Sequence, residues 1–294
     1  MSAQVPSFQL NNDTKIPAVG MGCWIGVVGG GQRVIDMCTK ALKNGYRHFD
    51  TASVYGESFT LSGEVGEAIN ASRIPREEIY ITTKLPNDAH HKVLESFEES
   101  LKKLGCGYVD LYLMHWPFAT MPDSTGKTRR LPPDEHPTFV DTWKDMEKLL
   151  DTGKVKTIGV SNFSVKTLTE LLPHCTVIPA INQVQLHPCL PQVELKAFCE
   201  EKGIILTAYT PLGRAESRVL LEHETIVDIS KSLGVTPAQV LLSWSVQKNI
   251  IVIPKSEDDE RMQANINLVH LSDEDIDRIN KIHEEPGMHQ SLLK

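Results

Sequence analysis

Apolar and polar positions along the chain switch between two periods, and the switches divide it into elements. Residues 7–22, Ser-Phe-Gln-Leu-Asn-Asn-Asp-Thr-Lys-Ile-Pro-Ala-Val-Gly-Met-Gly, alternate around an Asn-Asn-Asp turn, the pattern of a hairpin running into a first strand at 18–22. From about Gln32 to Asn44 the period lengthens. Val34, Ile35, Cys38, Ala41 and Leu42 form one apolar helical stripe, and Gly45 stands where a left-handed residue ends a helix. The exchange then recurs as strand 46–50, helix 62–72, strand 79–84, helix 91–104 and strand 109–114. A Pro-rich, charged stretch at 117–136 reads as a loop, and Thr138 with Asp141 three residues later reads as the cap of a helix 139–152 ended by Gly153. Strand 156–160, helix 164–173, strand 178–184, helix 191–202 and strand 204–209 continue the series. Two helical segments, 221–233 and 237–248, precede a strand 250–254 and a helix from about 259, and Ser272 opens one more helix at 272–283.

Eight strands, each followed by helix, predict a parallel sheet, and eight units close a (β/α)8 TIM barrel, here with an N-terminal β-hairpin and extra helices. An open, doubly wound sheet shares the alternation. The 294 residues suit one barrel, and no shift of composition divides them, so a single domain over 1–294 is expected.

Composition narrows the function classes. With 40% hydrophobic and 23% charged residues the chain is of ordinary globular make-up. A formal charge of -8 argues against a phosphate-neutralising surface for nucleic acid while leaving room for one local phosphate site. The six cysteines contain no Cys-x-x-Cys pair and read as reduced thiols. No stretch approaches the roughly 18 apolar residues of a membrane span. The expected location is the cytoplasm, without a membrane partner, as monomer or homodimer.

The chemistry gathers at strand ends. Strand 46–50 closes on Asp50 with Tyr55 five residues later, 79–84 closes on Lys84, and 109–114 runs into His115. In a parallel barrel these ends converge on one face, where active sites of that architecture lie. A tyrosine with a pKa of about 10 is a poor acid at neutral pH, so protonating a substrate requires a nearby cation and a relay. The plainer alternative is a structural Asp50–Lys84 ion pair, a core histidine and a loop aromatic. Two other patterns mislead. Gly20-Met-Gly22-Cys-Trp24-Ile-Gly26 spaces its glycines one residue too far apart for a dinucleotide fingerprint. Tyr80 and Lys84 match a Tyr-x-x-x-Lys pair, but a β-branched strand holds them roughly 13 Å apart. His90, His91, His174 and Cys175 lack ligand spacing, so no metal is expected.

Taken in order, Gly45-Tyr-Arg-His-Phe-Asp50-Thr-Ala-Ser-Val-Tyr55-Gly, Lys84-Leu-Pro, Asp110-Leu-Tyr-Leu-Met-His115-Trp-Pro, Gly159-Val-Ser161-Asn162-Phe and Ile253-Pro-Lys255-Ser256 resemble the aldo-keto reductase family, in particular fungal and aldose-reductase-type members. The resemblance spans essentially the whole chain. It implies an enzyme that reduces a small-molecule aldehyde or ketone with NADPH, or alternatively NADH. Tyr55 would be the general acid, Lys84 would lower its pKa, Asp50 would hold Lys84, and His115 would orient the carbonyl. Ser161, Asn162 and Gln183 would meet the carboxamide, Tyr209 would stack on the nicotinamide, and Thr210 and Leu212 would lie beside the pyrophosphate. Lys255, Ser256 and Arg261 would take the 2′-phosphate and Asn265 the adenine. Trp24, Val54 and Trp116 would line the substrate pocket, favouring substrates with an apolar or aromatic portion.

The chain departs from that pattern in places. Glu257, Asp258, Asp259 and Glu260 crowd the phosphate site, so that Lys255 and Arg261 could instead pair with this acidic run, and Ala264 stands where glutamate is common. Residues 56–65 look longer, and the loop after Gly213 and the tail after His283 shorter, than in typical members. Arg214 and Lys127-Thr-Arg129-Arg130 could attract a substrate carboxylate or simply be solvated. The rival reading is a cofactor-binding regulatory or structural barrel with little turnover.

Overall fold

In the computed structural model, which describes residues 5–27, 30–52, 61–213 and 218–291, the alternation closes on itself. The antiparallel hairpin β1 (Ser7–Gln9) and β2 (Lys15–Pro17) comes first. The parallel strands β3 (Met21–Gly22), β4 (His48–Asp50), β5 (Tyr80–Leu85) and β6 (Val109–Met114) follow in adjacent positions. After a second hairpin, β7 (Thr120–Pro122) and β8 (Thr128–Arg130), come β9 (Val155–Ser161), β10 (Ile181–Gln185), β11 (Ile205–Tyr209) and β12 (Ile251–Val252).

Backbone hydrogen bonds join the two ends of the sheet. Val19 bridges Val252 in parallel, Gly20 N donates to Val252 O at 2.8 Å, Val252 N to Ala18 O at 2.9 Å, and Gly22 N to Pro254 O at 3.1 Å. The barrel is therefore closed, and the open-sheet alternative falls. Gly20 and Gly22 make the seam possible. A Cβ on Gly22 would lie 2.6 Å from the Ile253 carbonyl, and one on Gly20 would lie 2.6 Å from His48 Nδ1. The glycine run that mimics a nucleotide fingerprint is a packing device of the closing strand.

The helices cover the outside: α1 (Gln32–Lys43), α2 (Leu61–Ser72), α3 (Val93–Leu104), α4 (Phe139–Leu149), α5 (Val165–Leu171), α6 (Val193–Glu201), α7 (Glu224–Leu233), α8 (Pro237–Gln247), α9 (Asp259–Ile266) and α10 (Asp273–Asn280). Thr138 and Asp141 form the expected reciprocal cap of α4, and Ser272 caps α10. One apolar cluster fills the space between helices and sheet. A second, made of Tyr80, Leu111, Leu113, Ile181 and Ile251, fills the barrel, with Leu10 and Ile16 of the first hairpin region packed into it. Tyr80, Ile181 and Ile251 begin their strands, so this apolar plug sits at the N-terminal end and leaves the opposite end for polar groups.

Several boundaries differ from those read in the sequence. The strand expected at 178–184 begins only at Ile181, because Pro179 has no N–H for a ladder and Asn11 Nδ2 takes the carbonyls of Ile178 and Pro179 at 3.4 and 3.2 Å. The helix expected from 221 starts at Glu224, after His223 as its cap. Within the stretch expected to be a loop, Asp123 Oδ1 accepts from Thr125 N at 2.7 Å and Lys127 N at 3.0 Å, and this tight turn folds 120–130 into the second hairpin. Two of its basic residues are used locally: Arg129 pairs with Glu135, and Arg130 lies 3.9 Å over the Phe118 ring. All six cysteines are free thiols. Among the described residues no helix is long and apolar enough to cross a membrane.

His48, His90 and His187 are buried, and burial pushes each pKa down to about 4. The unfolded chain binds protons at these sites near pH 6.5 while the native barrel refuses them, so stability is lost as pH falls from about 6.5 toward 4. Urea unfolding across that window should show a falling free energy, each histidine contributing up to about 1.4 kcal/mol per pH unit. A stability independent of pH there would contradict the neutral, buried assignment.

Candidate active site

Alternation along the strands decides which side chains reach the polar end of the barrel. Tyr80 and Leu111 point inward near the start of β5 and β6, and even steps along those strands bring Thr82 and Lys84, then Leu113 and His115, onto the same face. The same count from Ile181 delivers Gln183 on β10. The pairing of Gln183 with Ser161 across β9 and β10, and of Gln185 with Tyr209 across β10 and β11, extends the polar layer around the mouth.

At its centre Lys84 Nζ donates to Asp50 Oδ1 at 2.5 Å and to Thr51 O at 3.0 Å. The two side chains are only 6% and 8% exposed, so the charges are compensated within the protein rather than by water. Asp50 Oδ2 accepts from Gln183 Nε2 at 2.6 Å, across the barrel from a residue 133 positions away. Gln183, expected from the resemblance at the carboxamide, thus also braces the ion pair. Both oxygens of the carboxylate are engaged, which fixes the direction in which it holds the lysine.

His115 lies beyond the end of β6, half-buried, with its ring 6.5 Å from that of Trp116. Burial, reinforced by the positive charge of Lys84, pushes its pKa down to about 3, so the imidazole is neutral at physiological pH. Its backbone carbonyl accepts from Asn162 Nδ2 at 2.9 Å. Asn162, held at φ 64, also accepts from the Tyr209 hydroxyl at 2.8 Å, and Ser161 Oγ donates to the Gln183 carbonyl at 2.8 Å. Asn162 therefore ties together the ends of β6, β9 and β11, and the Tyr209 ring is anchored by its hydroxyl. Thr210, at φ 51, turns the chain out of β11, and Leu212 is half-buried against the outer core. Trp24 and Trp116 are each 38% exposed at the rim.

Tyr55 and Val54, and with them 56–60 and Arg214, lie outside the described residues. Asp50 closes β4, and Thr51 and Ala52 are the last described residues before Val54 and Tyr55.

At the expected phosphate end both cations touch the acidic run that follows them. Lys255 is ion-paired with Glu257, whose carboxylate also receives Arg33 Nε at 2.6 Å and a second Arg33 nitrogen at 2.8 Å. These two donors hold the Glu257 carboxyl down at about 2. Arg261 Nε is 3.6 Å from Asp258 Oδ1, so pairing with the acidic run is what the structure displays for both expected cations. Ser256 is buried, and its hydroxyl bonds to the backbone of Asp258, while Asn265 is buried on α9. Arg33 and Lys40 are cations that sequence reasoning missed; Lys40 Nζ reaches the Glu257 carbonyl at 3.2 Å. Their signal was a spacing of two helical turns on α1, which puts both on one face.

Lys40, Arg261 and residues 257–260 line an open, polar cleft of about 510 Å³. Lys40 and Arg261 line it together with four acidic residues, and Arg33 and Lys255 reach it through their pairing with Glu257; with the amide and hydroxyl groups at the barrel mouth, these donors suit the phosphate and carboxamide ends of a nicotinamide dinucleotide phosphate.

The chain matches the model of the Aldo/keto reductase family over residues 30–284. It is 42% identical to an aldehyde reductase of Saccharomyces cerevisiae, over 94% of this chain and 91% of that one. It is 40% identical to glycerol 2-dehydrogenase (NADP(+)) of the same yeast, over 95% and 91%. A crystal structure of an aldo-keto reductase of Bombyx mori in complex with NADP aligns with a TM-score of 0.84 at 33% identity, covering 95% of this chain and 93% of that one. A closed barrel, a charged centre at the ends of β4 and β5, and this breadth of likeness place the chain in the aldo/keto reductase family.

Proposed function

We propose that this protein reduces aldehydes and ketones to alcohols with NADPH, and that the observation carrying the assignment is the buried Asp50–Lys84 pair braced by Gln183 at the barrel mouth. NADPH, when bound, supplies the hydride for the carbonyl carbon. The chain's own residues manage the proton and the charge. Lys84 is a fixed ammonium that lowers the cost of a phenolate beside it, and Tyr55 is the group that delivers a proton to the carbonyl oxygen. Asp50 and the Thr51 carbonyl keep that ammonium in place. His115, neutral because it is buried, orients the carbonyl by a hydrogen bond without adding a competing charge. Lys255, Arg261 and the newly placed Arg33 and Lys40 serve the phosphate end, with Ser161, Gln183 and Tyr209 at the nicotinamide end. The assignment favours turnover over a purely cofactor-binding role because the relatives in hand are an aldehyde reductase and a dehydrogenase.

For the substrate, Trp24 and Trp116 offer apolar faces at the rim, whereas a polyol requires several placed hydrogen-bond partners. Aromatic and other apolar aldehydes are the proposed class, handled by a single-domain, cytoplasmic monomer or homodimer. The acidic setting of Lys255 leaves NADH as a second cofactor.

Purified protein mixed with NADPH and a panel of aldehydes should consume nicotinamide absorbance, with kcat/KM for benzaldehyde-type substrates at or above that for aldoses and uronates. An aldose or uronate preferred more than tenfold, about 1.4 kcal/mol, would overturn the pocket assignment. Arg261→Ala should weaken NADPH about three- to tenfold and NADH little, a range set by the strong exposure of this side chain. Equal losses for both cofactors would remove Arg261 from the phosphate site.

A further inference from the structure

Four acidic residues follow Ser256 in succession, and the first three are not used alike. The Asp258 carboxylate caps α9, accepting from Arg261 N at 2.9 Å. Asp259 accepts from Asn44 Nδ2 at 2.8 Å and faces Lys40 at 3.9 Å, tying α9 to α1. Glu257 caps nothing. Its two carboxylate oxygens take the planar fork of Arg33 and the ammonium of Lys255.

Three cationic N–H donors converging on one anion form the arrangement that suits a phosphate monoester. The backbone that carries Arg33 is anchored at the start of α1, where the buried Glu64 of α2 accepts from Gly31 N and, at 3.2 Å, from Gly30 N. The Lys40 contact to the Glu257 carbonyl fixes the backbone from the other side. The anion position is thus a built feature, and the protein fills it with its own side chain.

Resting on the NADPH site proposed above, we infer that Glu257 is a resident anion that competes with the 2′-phosphate of NADPH for Lys255 and Arg33, and so narrows the preference for NADPH over NADH. A phosphate arriving at these cations must displace the carboxylate or sit beside it against charge repulsion. NADH brings no such phosphate. A ribose 2′-hydroxyl can instead donate to a carboxylate, the manner in which acidic residues accept the ribose of NAD elsewhere. Glu257 remains ionised at any working pH, its carboxyl held at about 2 by Arg33 and Lys255, so the competition does not fade with acidification in the physiological range.

The test is equilibrium binding to the cofactor-free protein, wild type and Glu257→Gln, by fluorescence titration with NADPH and NADH and by calorimetry with 2′,5′-ADP and 5′-AMP. The variant keeps the side chain's shape and removes its charge. NADPH and 2′,5′-ADP should bind about three- to tenfold tighter to Glu257→Gln, the range for releasing partly exposed ion pairs, while NADH and 5′-AMP bind no tighter. A weaker NADPH would show that Glu257 serves to hold Lys255 and Arg33 ready for phosphate, and would overturn the inference. So would equal changes for both cofactors, or none. Arg261→Ala, titrated alongside, separates the two levels: if it discriminates between NADPH and NADH and Glu257→Gln does not, only the competition fails. If neither variant discriminates, the phosphate site itself is misplaced and both readings fall.

Discussion

A lysine and an aspartate buried together at the mouth of a barrel constrain nearly everything around them. Removing either partner leaves an uncompensated charge away from water, a loss of about 3–5 kcal/mol, so the surrounding chain must hold both in one geometry. It does so from three directions. Thr51 O takes the ammonium, Gln183 takes the second carboxylate oxygen, and the hydrogen bonding between β4 and β5 sets the distance between the backbones. The barrel's closure is part of the same arrangement, because Gln183 approaches Asp50 from the far side only when the sheet is curled shut. Glycines 20 and 22 permit that closure, so residues without any chemistry of their own govern where the chemistry sits.

The pair also explains the state of its neighbour. His115 would be partly protonated in water near its ordinary pKa of about 6.5, but burial and the adjacent ammonium keep it neutral. In the proposed reaction the positive charge at this site is then that of Lys84, and the histidine serves as an uncharged hydrogen-bonding group. Two cations facing one carbonyl would instead add like-charge repulsion to the burial cost. The division of labour between the two residues follows from a single fixed charge.

Much of this was legible in the sequence because it is periodic. The alternating strands and helices, the caps at Thr138 and Ser272, and the strand-end positions of Asp50, Lys84 and His115 all follow local rules that residue order obeys. What was not legible depends on contacts between distant segments. Gln183 was expected at the carboxamide, but its bond to Asp50 was not, because only the closed barrel carries its amide there. Arg33 and Lys40 lie off the apolar stripe of α1, and their contacts to Glu257 exist only because α1 packs beside the segment after β12. The second hairpin was missed for another reason. Its turn chemistry around Asp123 and Gly126 was present, but proline and charge on either side obscured strands of three residues each. At the phosphate end, Lys255 and Arg261 touch the acidic run, contacts that the sequence left open and that make this run relevant to cofactor preference.

The proposed reaction depends on Tyr55 as its proton donor and on the fixed ammonium of Lys84. Tyr55→Phe removes that donor's hydroxyl and leaves the Asp50–Lys84 pair untouched, so it isolates the chemical step. Single-turnover reduction of a benzaldehyde by the enzyme–NADPH complex, measured together with the NADPH dissociation constant of the same variant, is the most direct measurement. The account predicts a fall of about 10²–10⁴-fold in the reduction rate, the usual contribution of a positioned acid, with NADPH binding essentially unchanged. A variant that reduces the aldehyde at the wild-type rate would contradict it.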